Sequence, residues 1–215
     1  MNKATRVIVI VAICGAVAAC ATSAGERSGF LGDYSKLAPE KDAMGEPVLR
    51  YVSPKLASGA YKKVLLDPVQ FHPAPQPSES VDEATLTAIR NYVDKGLRDE
   101  MGAKIPLASG PGPGVIRFRP AITAVATEAT DLKPYQYIPI AFIVTTAVGR
   151  SKQAAIQMEI EAIDSVTNER LGAAVRQGTG AKLESNEQKL TLEHVRPLLD
   201  KWIATGSAFS AERLK

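Results

Sequence analysis

Thiol chemistry is what this sequence most conspicuously lacks. Its two cysteines, Cys14 and Cys20, both fall within the first twenty residues. The rest of the chain therefore has no thiol for a disulfide, a zinc site or nucleophilic catalysis. Histidine is nearly as scarce: His72 sits in a Pro-rich loop and His194 near the C-terminus, neither in a metal-ligand spacing. Charge of one sign is also missing, with 26 Lys and Arg against 23 Asp and Glu. That balance gives no electrostatic footprint for nucleic acid and no polybasic patch for a membrane surface. No Gly-x-Ser-x-Gly elbow and no Ser-x-x-Lys occurs. The turn Gly110-Pro111-Gly112-Pro113-Gly114 is rich in glycine, but its prolines remove the backbone donors a phosphate cradle requires. No catalytic constellation, metal site or cofactor motif emerges.

What is present is concentrated at the N-terminus. Lys3 and Arg6 precede an unbroken apolar run, Val7 to Ile13, which is followed by Gly15 and the small residues Ala16 to Ala19. This is the layout of a secretory signal peptide, Met1 to Ala19. The apolar stretch of about fifteen residues falls short of the roughly 20 that span a bilayer. Val17-Ala18-Ala19-Cys20 resembles the lipobox of bacterial lipoproteins: an aliphatic residue, two small ones, and the cysteine whose thiolate accepts a diacylglyceryl group. The expectation is lipidation at Cys20, with Cys14 removed. Each buried methylene contributes about 0.8 kcal/mol, so the three chains that this resemblance implies anchor the protein permanently. Ala21 rather than Asp after the cysteine points to the outer membrane, facing the periplasm.

Three regions follow: the signal peptide 1–19, a lipidated tether and docking segment 20–61, and one domain 62–215. The mature chain has 215 − 19 = 196 residues, enough for one core. Within the tether, Ser28-Gly29-Phe30-Leu31-Gly32-Asp33-Tyr34-Ser35 sets two aromatics and a leucine in polar sequence. It reads either as a loop pinning the tether to the domain or as a partner-docking segment carried by Phe30, Leu31, Asp33 and Tyr34.

Lys63–Val69 reads as a short buried strand. Ser80 and Glu83 fit a capping box opening a helix from about Val81 to Met101, with Leu86, Ile89, Val93, Leu97 and Met101 on one face. Val115–Val125, Ala154–Ile163 and Arg170–Gln177 alternate as half-buried strands, the last two joined by a turn over 164–169. On the first, Ile116, Phe118, Ile122 and Ala124 share one face and Arg117, Arg119 and Thr123 the other. On the second, Glu159 and Glu161 share the polar face, read as solvated and able to form a charge ladder with the two arginines. Leu171, Ala173 and Val175 form the apolar face of the third. Ile138 to Gly149 is the most apolar stretch of the mature chain and fits helix or strand. A last helix runs from about Glu187 to Thr205, with Pro197 expected to kink or restart it. The pattern predicts an α+β two-layer sandwich: a mostly antiparallel sheet with two main helices on one face.

The SGFLGDYS segment, together with Leu65-Leu66-Asp67-Pro68-Val69 and Glu161-Ala162-Ile163-Asp164-Ser165-Val166-Thr167-Asn168-Glu169-Arg170-Leu171, resembles a bacterial family of lipoproteins of unknown function. The resemblance implies an envelope lipoprotein and carries no catalytic residues. The leading expectation is a non-enzymatic accessory, anchored in the membrane through Cys20, that binds another envelope protein. A carboxylate hydrolase using Glu159 and Glu161, or a carrier of an apolar ligand using Ile138 to Val148, are the alternatives.

Overall fold

The structure is a computed structural model that describes residues 27–129, 152–185 and 187–214. The signal sequence, Cys20 and the Ile138–Gly149 stretch lie outside the described residues. In chain order the elements are β1 (Ala38–Lys41), β2 (Pro47–Val52), a 3-10 turn (Pro54–Ser58), β3 (Lys63–Leu66) and β4 (Gln70–Phe71). Then come α1 (Glu83–Gly102), β5 (Val115–Ala129), β6 (Lys152–Asp164), β7 (Arg170–Lys182) and α2 (Leu192–Arg213). The strands form one sheet in the order β1-β2-β7-β6-β5-β3, with β4 also pairing β5. Only β3 and β4 run parallel to their neighbour; the other pairs are antiparallel. Both helices pack on one face, giving the α+β two-layer sandwich.

Strand pairing begins before the expected domain start at residue 62. β1 and β2 lie in the stretch read as tether, yet β2 pairs β7, placing Leu49 opposite Val175 and Tyr51 opposite Ala173. The alternation there is too short and too charged to stand out from loop sequence.

The core is built from the residues that the helical and strand periods select. Leu86, Ile89, Val93, Leu97 and Met101 of α1 are all buried. The cap differs from expectation: Asp82, not Ser80, accepts from the Thr85 N–H at 2.8 Å. The Ser80 carbonyl instead accepts from the Leu190 N–H at 2.8 Å, tying the start of α1 to the approach to α2. α2 begins five residues after the expected Glu187 and continues through Pro197 to Arg213. His194 caps it, its Nδ1 accepting from the Thr191 N–H at 3.0 Å. Gly180 permits β7 to approach that helix start, since a Cβ there would lie 2.0 Å from the His194 carbonyl oxygen.

A register shift between Ile122 and Ala124 interrupts the alternation of β5. Beyond it Val125, not Ala124, joins Ile116, Phe118 and Ile122 in the core. Thr123, expected on the polar face, is buried. A bulge inserts one residue and so reverses the faces that follow.

Candidate functional site

Two neighbouring strands present opposite patterns to the same side of the sheet. The β6–β7 register places Glu159 opposite Val175 and Glu161 opposite Ala173. Glu159 and Glu161 therefore share the face turned away from the helices with Ala173 and Val175, whereas Leu171, expected beside them, joins the helix-side core next to a register shift. Such a face can neither be left in water nor be covered by purely apolar residues. The Ser28–Ser35 segment covers it.

Leu31 and Tyr34 are buried with Ala173 and Val175, and Phe30 and Leu37 pack against them half-buried. The Tyr34 hydroxyl donates to Glu159 Oε2 at 2.6 Å, while Gln157 Nε2 donates to Oε1 at 2.9 Å. Arg170 joins the rest: its Nε donates to Glu161 Oε1 at 2.7 Å, and its Nη1 to the Asp33 carbonyl at 2.7 Å. Its Nη2 donates to the Leu31 carbonyl. Arg119 Nη1 reaches Glu161 Oε2 at 2.7 Å, forming half of the expected charge ladder. Arg117 turns instead to Asp67, 2.9 Å away at the end of β3.

The expected solvated acidic face is therefore corrected. Glu159 is 1 % exposed and Glu161 6 % exposed, because the N-terminal segment lies over them. Each carboxylate has hydrogen-bond or ionic partners, as burial of charge requires. Burial, followed by the hydrogen bond to Glu159, raises the Tyr34 pKa, so its phenol stays a donor. A glycosidase pair needs room for a sugar between its carboxyls; these two lie beneath a loop, joined to Tyr34, Gln157, Arg119 and Arg170.

The four docking candidates divide. Leu31 and Tyr34 face inward onto their own sheet. Phe30 is half-buried, its ring 5.6 Å from that of His72 and 5.8 Å from the Arg119 guanidinium. Asp33 is exposed, and hydrogen bonds from Ser35 hold its carboxyl below the usual range. Among the described residues no group of three His, Cys, Asp or Glu could hold a metal ion. No helix among them is long and apolar enough to cross a membrane.

On the opposite face lies a feature that periodicity alone did not mark. Small residues face one another across the layers, Ala162, Gly172 and Ala174 on the sheet and Gly206, Ser207 and Ser210 on α2. They leave a cavity of ≈ 120 Å³ between sheet and helices. Met158 and Ile160, on central strand β6, remain half-exposed where they line it.

Comparison with known proteins gives the chain's relations. A family model described as "Protein of unknown function (DUF3313)" matches residues 26–205. The chain belongs to this family. It is also 31% identical over 220 residues to an uncharacterized lipoprotein, YdcL, of Escherichia coli K12, covering 98% of this chain and 99% of that one. Together these make it a bacterial lipoprotein of unknown function, anchored to a membrane of the cell envelope. Among solved structures, the PelC dodecamer from Paraburkholderia phytofirmans matches at 13% identity, with a TM-score of 0.38. It covers 78% of this chain and 97% of that one.

Proposed function

We propose that the protein is a non-enzymatic accessory of the outer membrane. It is anchored by lipid on Cys20, faces the periplasm and binds another envelope protein. The observation that carries this reading is the docking of the post-anchor segment on the sheet, with Tyr34 bonded to Glu159 at 2.6 Å. From Cys20 to Arg27, the first described residue, the chain makes seven steps. At ~3.6 Å each, they reach at most about 25 Å. The domain is therefore held close to the bilayer, with Phe30 and Asp33 on the side where the chain leaves for the anchor. The lipobox-like Val17–Cys20 and the absence of Asp at position 21 support the anchor and its membrane. Coverage of Glu159 and Glu161 counts against a hydrolase.

Intact-mass analysis of protein from membranes, beside Cys20→Ala, tests the anchor. The wild type is expected to begin at Cys20 with acyl mass added. A chain that begins elsewhere without it contradicts the reading. Cross-linking from membranes is expected to capture a partner that a Phe30→Ala/Asp33→Ala variant loses; identical capture by both removes the docking role of these residues.

A further inference from the structure

The cavity between sheet and α2 has a charged mouth. Arg213 is the exposed member of its lining, and among the described residues it makes no ion pair; its guanidinium lies 5.1 Å from the Phe209 ring. Arg50 lies over the same ring at 3.9 Å, and Arg176, also lining the cavity, is near enough to depress the Arg50 pKa after burial has done so. Glu40 pairs with Arg50 at 3.0 Å and Asp42 with Arg176 at 2.7 Å. The carboxylate of the lining itself, Glu159, is bonded to Tyr34 and Gln157 on the far side of the sheet, so the guanidinium at the mouth, Arg213, faces no carboxylate partner among the described residues. Deeper in, Leu97, Met101, Ile116, Trp202, Ile203 and Leu214 form an apolar wall. Ser207, 1 % exposed, also lines this space, its hydroxyl packed away without a hydrogen-bond partner.

An apolar slot with an unpaired guanidinium at its mouth is complementary to an amphiphile with an anionic head. Volume sets the tail: an apolar cavity of roughly 150 Å³ accepts the six carbons of benzene, so ≈ 120 Å³ encloses about five, and the rest of an eight-carbon chain lies toward the mouth. We propose that this cavity binds one free medium-chain carboxylate, its tail against Trp202 and Met101 and its head at Arg213. Binding here is separate from the anchor and from the docking segment, which occupies the other face of the sheet.

Trp202 is the one tryptophan of the chain, so its emission reports occupancy. The full-length protein in phosphatidylcholine liposomes is titrated with octanoate and with octyltrimethylammonium. The expected result is a saturable change in Trp202 emission with octanoate and none with the cation. Gly206→Leu, at a position where a Cβ meets nothing within 4 Å, is expected to abolish the change while circular dichroism stays that of the wild type. Arg213→Glu, at the exposed mouth, is expected to weaken binding tenfold or more. No saturable change with octanoate, or equal response to the cation, overturns the proposal. So does unaltered binding by Arg213→Glu, which tests it even if Gly206→Leu misfolds.

Discussion

Tyr34 acts through both ends of its side chain. Its ring packs with Leu31 on Ala173 and Val175, and its hydroxyl donates to Glu159, itself 1 % exposed. Removing the hydroxyl leaves that carboxylate oxygen buried without its donor. Tyr34→Phe is therefore expected to lower stability by about 2 kcal/mol, the scale of a lost bond to a buried charged group. The urea midpoint at constant slope measures it; an unchanged midpoint means that the bond contributes nothing. Residue-level spacing made the aromatic segment legible as unusual, and it made Glu159 and Glu161 legible as a same-face pair. It did not reveal that the one covers the other, because their contact spans 125 positions of sequence.

Elements show where periodicity works and where it fails. The stripe on α1 was readable because its face is set by one helix and one core. β7 was readable as a strand, but the destination of Ala173 and Val175 was not, since register with β6 decides which face they join. β1 and β2 do not stand out in the sequence: their buried residues include Arg50, a charge that reads as exposed in isolation. The turn of this hairpin is fastened to β7 by the ion pair of Asp42 with Arg176, in which the Asp42 side chain is 3% exposed. Burial raises the Asp42 pKa, but N–H donation from Met44 and Glu46 and the Arg176 guanidinium outweigh it and hold the carboxyl below its usual value. A depressed carboxylate stabilises the fold above its unfolded pKa of about 3.9 and loses that contribution as pH falls through the folded value. Asp42→Asn should thus cost roughly 3 kcal/mol at neutral pH, the low end for breaking a buried pair. The gap to wild type should close as pH drops below about 4. Thermal melts of both proteins from neutral to strongly acidic pH measure this; a gap independent of pH contradicts the assignment.

At the scale of the whole molecule, the sheet is covered on both sides by unlike materials. Two amphipathic helices cover one face, incompletely, leaving the cavity near the C-terminal half of α2. A short irregular segment next to the expected lipid anchor covers the other with a hydroxyl, an apolar pair and backbone carbonyls. The sandwich was legible because alternation and helical spacing are local signals. The cavity was not, because it arises where small residues distant in sequence face one another. Residues 28–37 belong to the fold and are not a free tether. Amide hydrogen exchange across the chain tests it most directly. The Leu31, Gly32, Asp33 and Leu37 amides, which all have hydrogen-bond acceptors, are expected to exchange at least tenfold more slowly than in an unfolded peptide, and Tyr34→Phe to speed them. Exchange of these amides at the unfolded rate in the wild type would contradict it.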